Sequence, residues 1–129
     1  MIMAQEDYVG FEVAKLLTEK GFDEECSYRY VAEPDYRTPE FVRSPIGKGS
    51  RYLYNAPSHQ MAMKWLRIKH NILLFLLPAQ ENGKLVYLVE VWTWNEEEGI
   101  YESTYAPMPR KEPEKAVEAA LKYCLENLI

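Results

Sequence analysis

Two apolar runs flank a four-residue turn signal in the second half of the chain. The first run, residues 72–77, is continuous, and the second, residues 85–94, is interrupted only by Glu90 and a threonine. Between them, Asn82-Gly83 supplies the two positive-φ residues that a type I′ hairpin turn requires. After a second turn, residues 100–105 complete a third strand. The pattern predicts an antiparallel meander in which residues 72–77 form a central strand covered on both faces.

Three amphipathic segments predict helices before and after these strands. The first helix, residues 6–20, is followed by Gly21, which suits the left-handed residue that often ends a helix. The second begins at the favoured N-cap residue Ser58 and ends at Asn71. The third begins at Pro113, a residue common in the first turn, and has the most regular apolar stripe of the chain.

Between the first two helices the pattern is less regular. Residues 26–32 and 51–55 predict short strands, because tyrosines alternate with other residues there, whereas prolines predict an irregular stretch over residues 34–50. The elements together predict one α+β domain over residues 1–129, with the order α-β-β-α-β-β-β-α. In this fold an antiparallel β-meander of three to five strands is packed by three helices.

Basic residues are concentrated in the middle of the chain. Residues 41–80 contain six bases and no acid, and all six lie within residues 43–69, called the basic block below. The segments on either side contain ten acids each. Four bases form a candidate contact site for an anion or nucleic acid: Lys48, Arg51, Lys64 and Arg67. The alternative is that the block lies against its acidic flanks and presents no basic face.

The sequence offers no arrangement typical of a catalytic, cofactor-binding or metal-binding site. His59 and His70 lie on the second predicted helix at a separation of roughly 16 Å, too far to share one metal ion, and each is predicted to be a surface or capping residue. Cys26 and Cys124 have no partner at CxxC spacing. The segment Gly47-Lys48-Gly49-Ser50 lacks the spacing of a phosphate-binding loop. We therefore expect no catalytic residue, no cofactor and no metal ion.

Aromatic residues on the predicted strands allow two interpretations. A sheet that displays aromatic rings beside bases can stack nucleobases. The meander strands carry Glu90 and Glu102, however, and carboxylates repel a phosphate backbone. We therefore expect the rings to fill the core and to cover their cross-strand neighbours.

Several features bear on the compartment. The longest apolar run has six residues, whereas a membrane-spanning helix needs about 20. Residues 1–7 have neither the basic nor the apolar region of a secretory signal. Two cysteines are too few for a secreted disulfide scaffold. These features predict a protein of the reducing cytoplasm that makes no contact with a membrane.

Four segments of the chain form a series of helix end, tyrosine-rich strand, capped helix and terminal helix. They are Leu17 to Phe22, Ser27 to Tyr30, Ala56 to Arg67 (Ala-Pro-Ser-His-Gln-Met-Ala-Met-Lys-Trp-Leu-Arg) and Ala116 to Leu128. The series resembles a family of small proteins of unknown function from anaerobic gut bacteria and their phages or mobile elements. That family has no assigned activity, so the resemblance implies no site residues. It favours an accessory or binding protein over an enzyme.

We therefore expect a non-enzymatic interaction domain whose partner is another protein, with a homodimer left open. Residues 39–50 and the aromatic strands offer the contact surface. The alternative is a nucleic-acid-binding accessory protein that uses the basic block. A third hypothesis is an enzyme whose site is assembled from residues distant in the sequence.

Overall fold

The structure is a computed structural model that describes residues 5–32, 38–43, 53–105 and 109–129. A short 3₁₀ turn, Gln5–Asp7, precedes three α-helices in the described residues: α1 (Phe11–Glu19), α2 (His59–His70) and α3 (Pro113–Asn127). The six described strands are β1 (Tyr28–Val31), β2 (Glu40–Arg43), β3 (Leu53–Asn55), β4 (Ile72–Glu81), β5 (Lys84–Asn95) and β6 (Ile100–Tyr105). They form two antiparallel sheets, of order β2-β1-β3 and β4-β5-β6.

The predicted α+β class, its three helices and the meander β4-β5-β6 are confirmed. Strand β2 lies in the stretch predicted to be irregular, and it joins β1 and β3 in the first sheet. Phe41 of β2 pairs with Tyr30 and stacks on Tyr28 at a ring-centroid distance of 5.0 Å. This strand is therefore stabilised by aromatic packing between distant segments, which no local pattern signals. Residues 34–37 and 44–50 of the predicted irregular stretch lie outside the described residues.

Helix α1 begins later than the sequence predicts, because the preceding backbone makes tertiary hydrogen bonds. Tyr8 forms a β-bridge with Ser58, and the Val9 N–H donates to the Pro57 carbonyl at 3.0 Å. The helix ends as predicted. Gly21 takes the left-handed conformation, with φ of 97°, and ends the helix as the sequence predicts. Helix α1 therefore starts later than predicted, at Phe11, but stops next to the predicted glycine.

The local signals around α2 and the hairpin are confirmed. The Ser58 hydroxyl accepts a hydrogen bond from the Met61 N–H at 3.2 Å, and Asn71 ends the helix in the left-handed conformation. In the hairpin, Asn82 and Gly83 have φ values of 52° and 75°, as a type I′ turn requires. Each signal acts within a few residues, so the rest of the fold does not override it.

The core lies between the helices and one face of each sheet. Helix α3 packs against β5 and α1, and α1 also contacts β3. These elements and α2 contribute fully buried aliphatic side chains to the core, among them Leu17, Leu66, Val89, Val91, Leu121 and Leu125. Among the described residues, the helices are too short or too polar to cross a membrane.

Strand β4 corrects the prediction of a central strand covered on both faces. It lies at the edge of its sheet and pairs with β5 alone. Ile72 and Leu74, near its start, are buried beside α2, but Phe75, Leu76 and Leu77 are 47%, 43% and 37% exposed. The apolar run therefore extends beyond the part of the sheet that the helices cover.

Candidate interaction surface

One face of the β4-β5-β6 sheet is lined by exposed apolar and aromatic side chains. Cross-strand pairing places Leu73 opposite Trp92 and Trp94 opposite Tyr101 on this face. We call it the outer face and define it by these residues: Leu73, Phe75, Leu77, Glu90, Trp92, Trp94 and Tyr101. Trp94 is 41% exposed and Tyr101 is 36% exposed. The opposite face carries Val89 and Val91, which are fully buried.

The outer face has a shallow depression bordered by ordered rings. The rings of Phe75 and Trp92 are perpendicular at 6.3 Å, and those of Trp94 and Tyr101 meet edge to face at 5.0 Å. The depression has a volume of about 400 Å³, and among the described residues that line it Glu90 alone is charged. Edge-to-face pairing holds the rings in place, so the face presents a pre-formed apolar surface with one acidic group.

The exposure of these rings qualifies the prediction that strand aromatics fill the core. That prediction is correct for Tyr30, which is 6% exposed and packs in the core. For Trp94 and Tyr101 the core-filling part is wrong, because both rings are exposed, but the cross-strand part is confirmed, because the two residues are register partners whose rings meet at 5.0 Å. The alternation of aromatic and other residues is the same in both sheets, so it does not indicate which rings are covered.

A groove runs along the free edge of β4, beside α2. Its lining combines Lys64 and Arg67 with residues from both faces of the strand, including Leu73 and Leu74, and its volume is about 260 Å³. We call it the β4 groove. Lys64 and Arg67 are exposed, and neither forms an ion pair with any described residue. The groove therefore combines an unpaired strand edge with two uncompensated positive charges.

The predicted anion-contact site is only partly described. The structure places Lys64 and Arg67 together on α2, one turn apart and lining the same groove. Lys48 and Arg51 lie outside the described residues. The alternative, that the basic block lies against its acidic flanks, stays a prediction, although no carboxylate of the described residues forms an ion pair with Lys64 or Arg67.

A partly buried hydrogen bond between His59 and Glu118 joins the starts of α1 and α2 to the second turn of α3, and the sequence did not indicate it. His59, predicted to be a surface or capping residue, is only 8% exposed, and its Nε2 lies 3.0 Å from Glu118 Oε1. The other oxygen of Glu118 accepts a hydrogen bond from the Gly10 N–H at 2.8 Å. A Cβ atom at Gly10 would lie 2.7 Å from that oxygen. The absence of a side chain at Gly10 therefore lets the carboxylate approach the backbone.

This His–carboxylate hydrogen bond resembles part of a catalytic dyad, but its contacts are those of a structural connection. Two cavities, of about 420 and 560 Å³, adjoin His59. Among the described residues, no hydroxyl or thiol is hydrogen-bonded to His59 or Glu118. Tyr30, which lines the first cavity, donates its hydroxyl to the Val9 carbonyl, and burial raises the pKa of that hydroxyl. The polar groups here hold elements together and do not point at a common reacting position.

The thiols also lack the properties of a nucleophile. Burial raises the pKa of Cys124 to about 12. Partial burial, with a smaller contribution from Glu24, raises the pKa of Cys26 to about 11. Reactive cysteines have a lowered pKa, because the thiolate is the nucleophile. In the described ranges, no group of three or more His, Cys, Asp or Glu residues is placed to hold a metal ion.

Comparisons of the chain with protein-family models, curated proteins and solved structures find no match. The resemblance to small proteins of gut bacteria and their phages therefore stays a prediction. Function has to be inferred from the surfaces of the molecule, and the two that stand out are the outer face and the β4 groove.

Proposed function

We propose that this domain is a protein-interaction module that binds its partner through the outer face. The proposal is supported by the exposure of Phe75, Trp94 and Tyr101 on the face of the sheet opposite the fully buried Val89 and Val91. Contiguous exposed apolar surface is costly in water and usually marks a site that another molecule covers. Tryptophan and tyrosine are also the residues that contribute most to protein interfaces.

The composition of the outer face defines the chemistry of a suitable partner. Most of its lining residues are aliphatic or aromatic, so a partner must present apolar side chains of matching shape. Glu90 lies within the depression and accepts hydrogen bonds. A lysine, arginine or hydroxyl of the partner has to approach this carboxylate, because a carboxylate buried without a partner is strongly unfavourable.

Nucleic-acid binding is the second candidate function, favoured by the two unpaired bases of the β4 groove. Lys64 and Arg67 are both available to a phosphate. The rings that would stack bases, however, lie on the outer face beside Glu90. A nucleic acid would have to stack next to a carboxylate that repels its backbone. The charge distribution therefore favours a protein partner.

For the biological setting we propose a cytoplasmic accessory protein, and we keep the predicted relation to a phage or mobile element as part of this proposal. Cys26 and Cys124 are both free thiols, which suits a reducing compartment.

The proposal is tested by capture of partners from a lysate of the source cells, with and without nuclease. We expect a partner that survives nuclease treatment and binds the Trp94→Ser/Tyr101→Ser variant at least about tenfold more weakly, because central interface aromatics contribute roughly 2 kcal/mol or more each. The matched control is Ile68→Ser, since Ile68 is 60% exposed but lies on α2.

Circular dichroism of each variant verifies that the fold is intact before binding is compared. A partner bound equally by the outer-face variant, or no partner at all, contradicts the proposal. A signal that disappears with nuclease would favour the nucleic-acid alternative.

A further inference from the structure

We infer that the free edge of β4 binds an extended acidic segment of a partner protein by strand addition, with Lys64 and Arg67 pairing with its carboxylates. The inference relies on the proposed function only in taking the partner to be a protein. It concerns the β4 groove, which is a different surface from Trp94 and Tyr101 on the outer face.

The free edge of strand β4 lacks the usual protection against pairing with another chain. Along its whole length β4 pairs with β5, and no described strand pairs with its other side. An edge strand leaves alternate N–H and C=O groups directed away from the sheet. Proteins usually protect such an edge with a charge, a proline or a bulge. Residues 72–77 contain neither a charged residue nor a proline, and Pro78 comes only after them. Over these six residues, the outward-directed N–H and C=O groups have no described strand paired with them.

Lys64 and Arg67 lie beside this free edge. Lys64 and Arg67 are three residues apart on α2, which places their side chains on the same side of the helix. Both line the groove together with Ile72 and Phe75 of β4. A strand added to the edge would therefore have positive charge along one side. Side chains of a strand alternate between faces, so its acidic residues are expected at every second position.

The charges also distinguish an acidic segment from a second copy of this chain. If two copies of the chain paired symmetrically through β4, Lys64 and Arg67 of both copies would lie at the same interface. The one acid of β4 is Glu81, its last residue, so a pairing centred on residues 72–77, the part of the edge beside Lys64 and Arg67, brings no acid to these charges. Like charges in one interface disfavour association, whereas aspartate or glutamate opposite them favours it. The occupant that fits is an extended segment in which apolar and acidic residues alternate.

The test is selection from a displayed library of random twelve-residue peptides against the intact protein. We expect the selected peptides to be rich in acidic residues at alternate positions and to bind more weakly as the salt concentration rises. In fluorescence anisotropy, the Lys64→Glu/Arg67→Glu variant is expected to bind a selected peptide about tenfold or more weakly, because each reversal replaces attraction with repulsion. The control, Lys15→Glu/Lys111→Glu, makes the same change of charge at exposed sites elsewhere.

A selected peptide methylated at alternate backbone nitrogens provides the second measurement. Strand addition requires those N–H groups, so methylation on the pairing side is expected to abolish binding. The inference is overturned if no peptide is selected, if the peptides are not acidic, or if neither set of methylated positions weakens binding. A dimer in sedimentation velocity that persists in the Trp94→Ser/Tyr101→Ser variant but is lost in Leu73→Lys would also overturn it, because Leu73 belongs to both the outer face and the groove.

The two proposals fail in different experiments. The Trp94→Ser/Tyr101→Ser variant is expected to bind the acidic peptide as wild type does, because neither residue lines the β4 groove. If capture of the cellular partner fails but the acidic peptide binds, the outer-face proposal is wrong and the edge inference stands. The reverse pattern rejects the edge inference alone.

Discussion

Both sheets carry aromatic rings, but they differ in what covers those rings. In the β2-β1-β3 sheet, Phe11 of α1 meets Tyr30 at 5.8 Å and Tyr54 at 5.6 Å, so the helix closes over the strands. In the β4-β5-β6 sheet, Trp94 and Tyr101 meet each other at 5.0 Å but remain exposed. The ring-to-ring geometry is similar in the two sheets. The difference is therefore one of burial, and it separates rings that stabilise the fold from rings that are available to a partner.

The largest expected effect comes from substituting one ring of each sheet. Tyr30→Ala is expected to lower the free energy of unfolding by about 3 kcal/mol, because it empties a core position and leaves the Val9 carbonyl without its donor. Trp94→Ala is expected to cost about 1 kcal/mol or less, because the indole already faces water. Urea unfolding at neutral pH measures both variants. Equal losses would show that the two sheets do not differ as described.

The next effect concerns the connection between the helices that cover the two sheets. Glu118→Ala is expected to cost about 2 kcal/mol, because it leaves His59 and the Gly10 N–H without their acceptor. Gly10→Ala is expected to cost about 1 kcal/mol by displacing the same carboxylate. Since φ at Gly10 is an ordinary −74°, alanine adds no backbone strain.

A double-mutant cycle sharpens this second prediction. Once Glu118 is alanine, the added methyl group at Gly10 has no carboxylate to displace, so the two losses should not add. Glu126→Ala, which removes an exposed acid from the same helix, is the control. Additive losses would mean that Gly10 and Glu118 act independently.

The smallest effect belongs to the exposed ion pair between α1 and α3. Lys122 Nζ lies 2.9 Å from Glu12 Oε2, and it lowers the pKa of Glu12 below its ordinary value of 4.5. A lowered pKa stabilises the fold at pH values above 4.5, and this contribution is lost as the pH falls through the lowered value. Glu12→Gln should therefore reduce the melting temperature slightly at pH 7. The difference should disappear in strong acid and in 1 M NaCl, because salt screens exposed charges. A difference that persists in high salt would contradict an electrostatic origin.

Features that depend on adjacent residues were predictable, and features that depend on distant contacts were not. The Ser58 cap and the Asn82-Gly83 turn act through hydrogen bonds and dihedral preferences within a few residues, and both are confirmed. Strand β2 and the buried position of His59 depend on partners far away in the chain, Tyr28 and Glu118 among them. Composition and spacing carry no information about such partners.

The candidate site shows the same division. The sequence alone determined that residues 72–77 are apolar, that Lys64 and Arg67 share one side of a helix, and that aromatic rings alternate along the strands, because each property belongs to a short segment. Only the tertiary structure decided that β4 lies at an edge, that its outer face stays uncovered, and that the two bases border its free side. The physical reason is that a sheet buries only the face against which helices pack. Here the apolar stripes of the helices hold them against the face opposite the outer face.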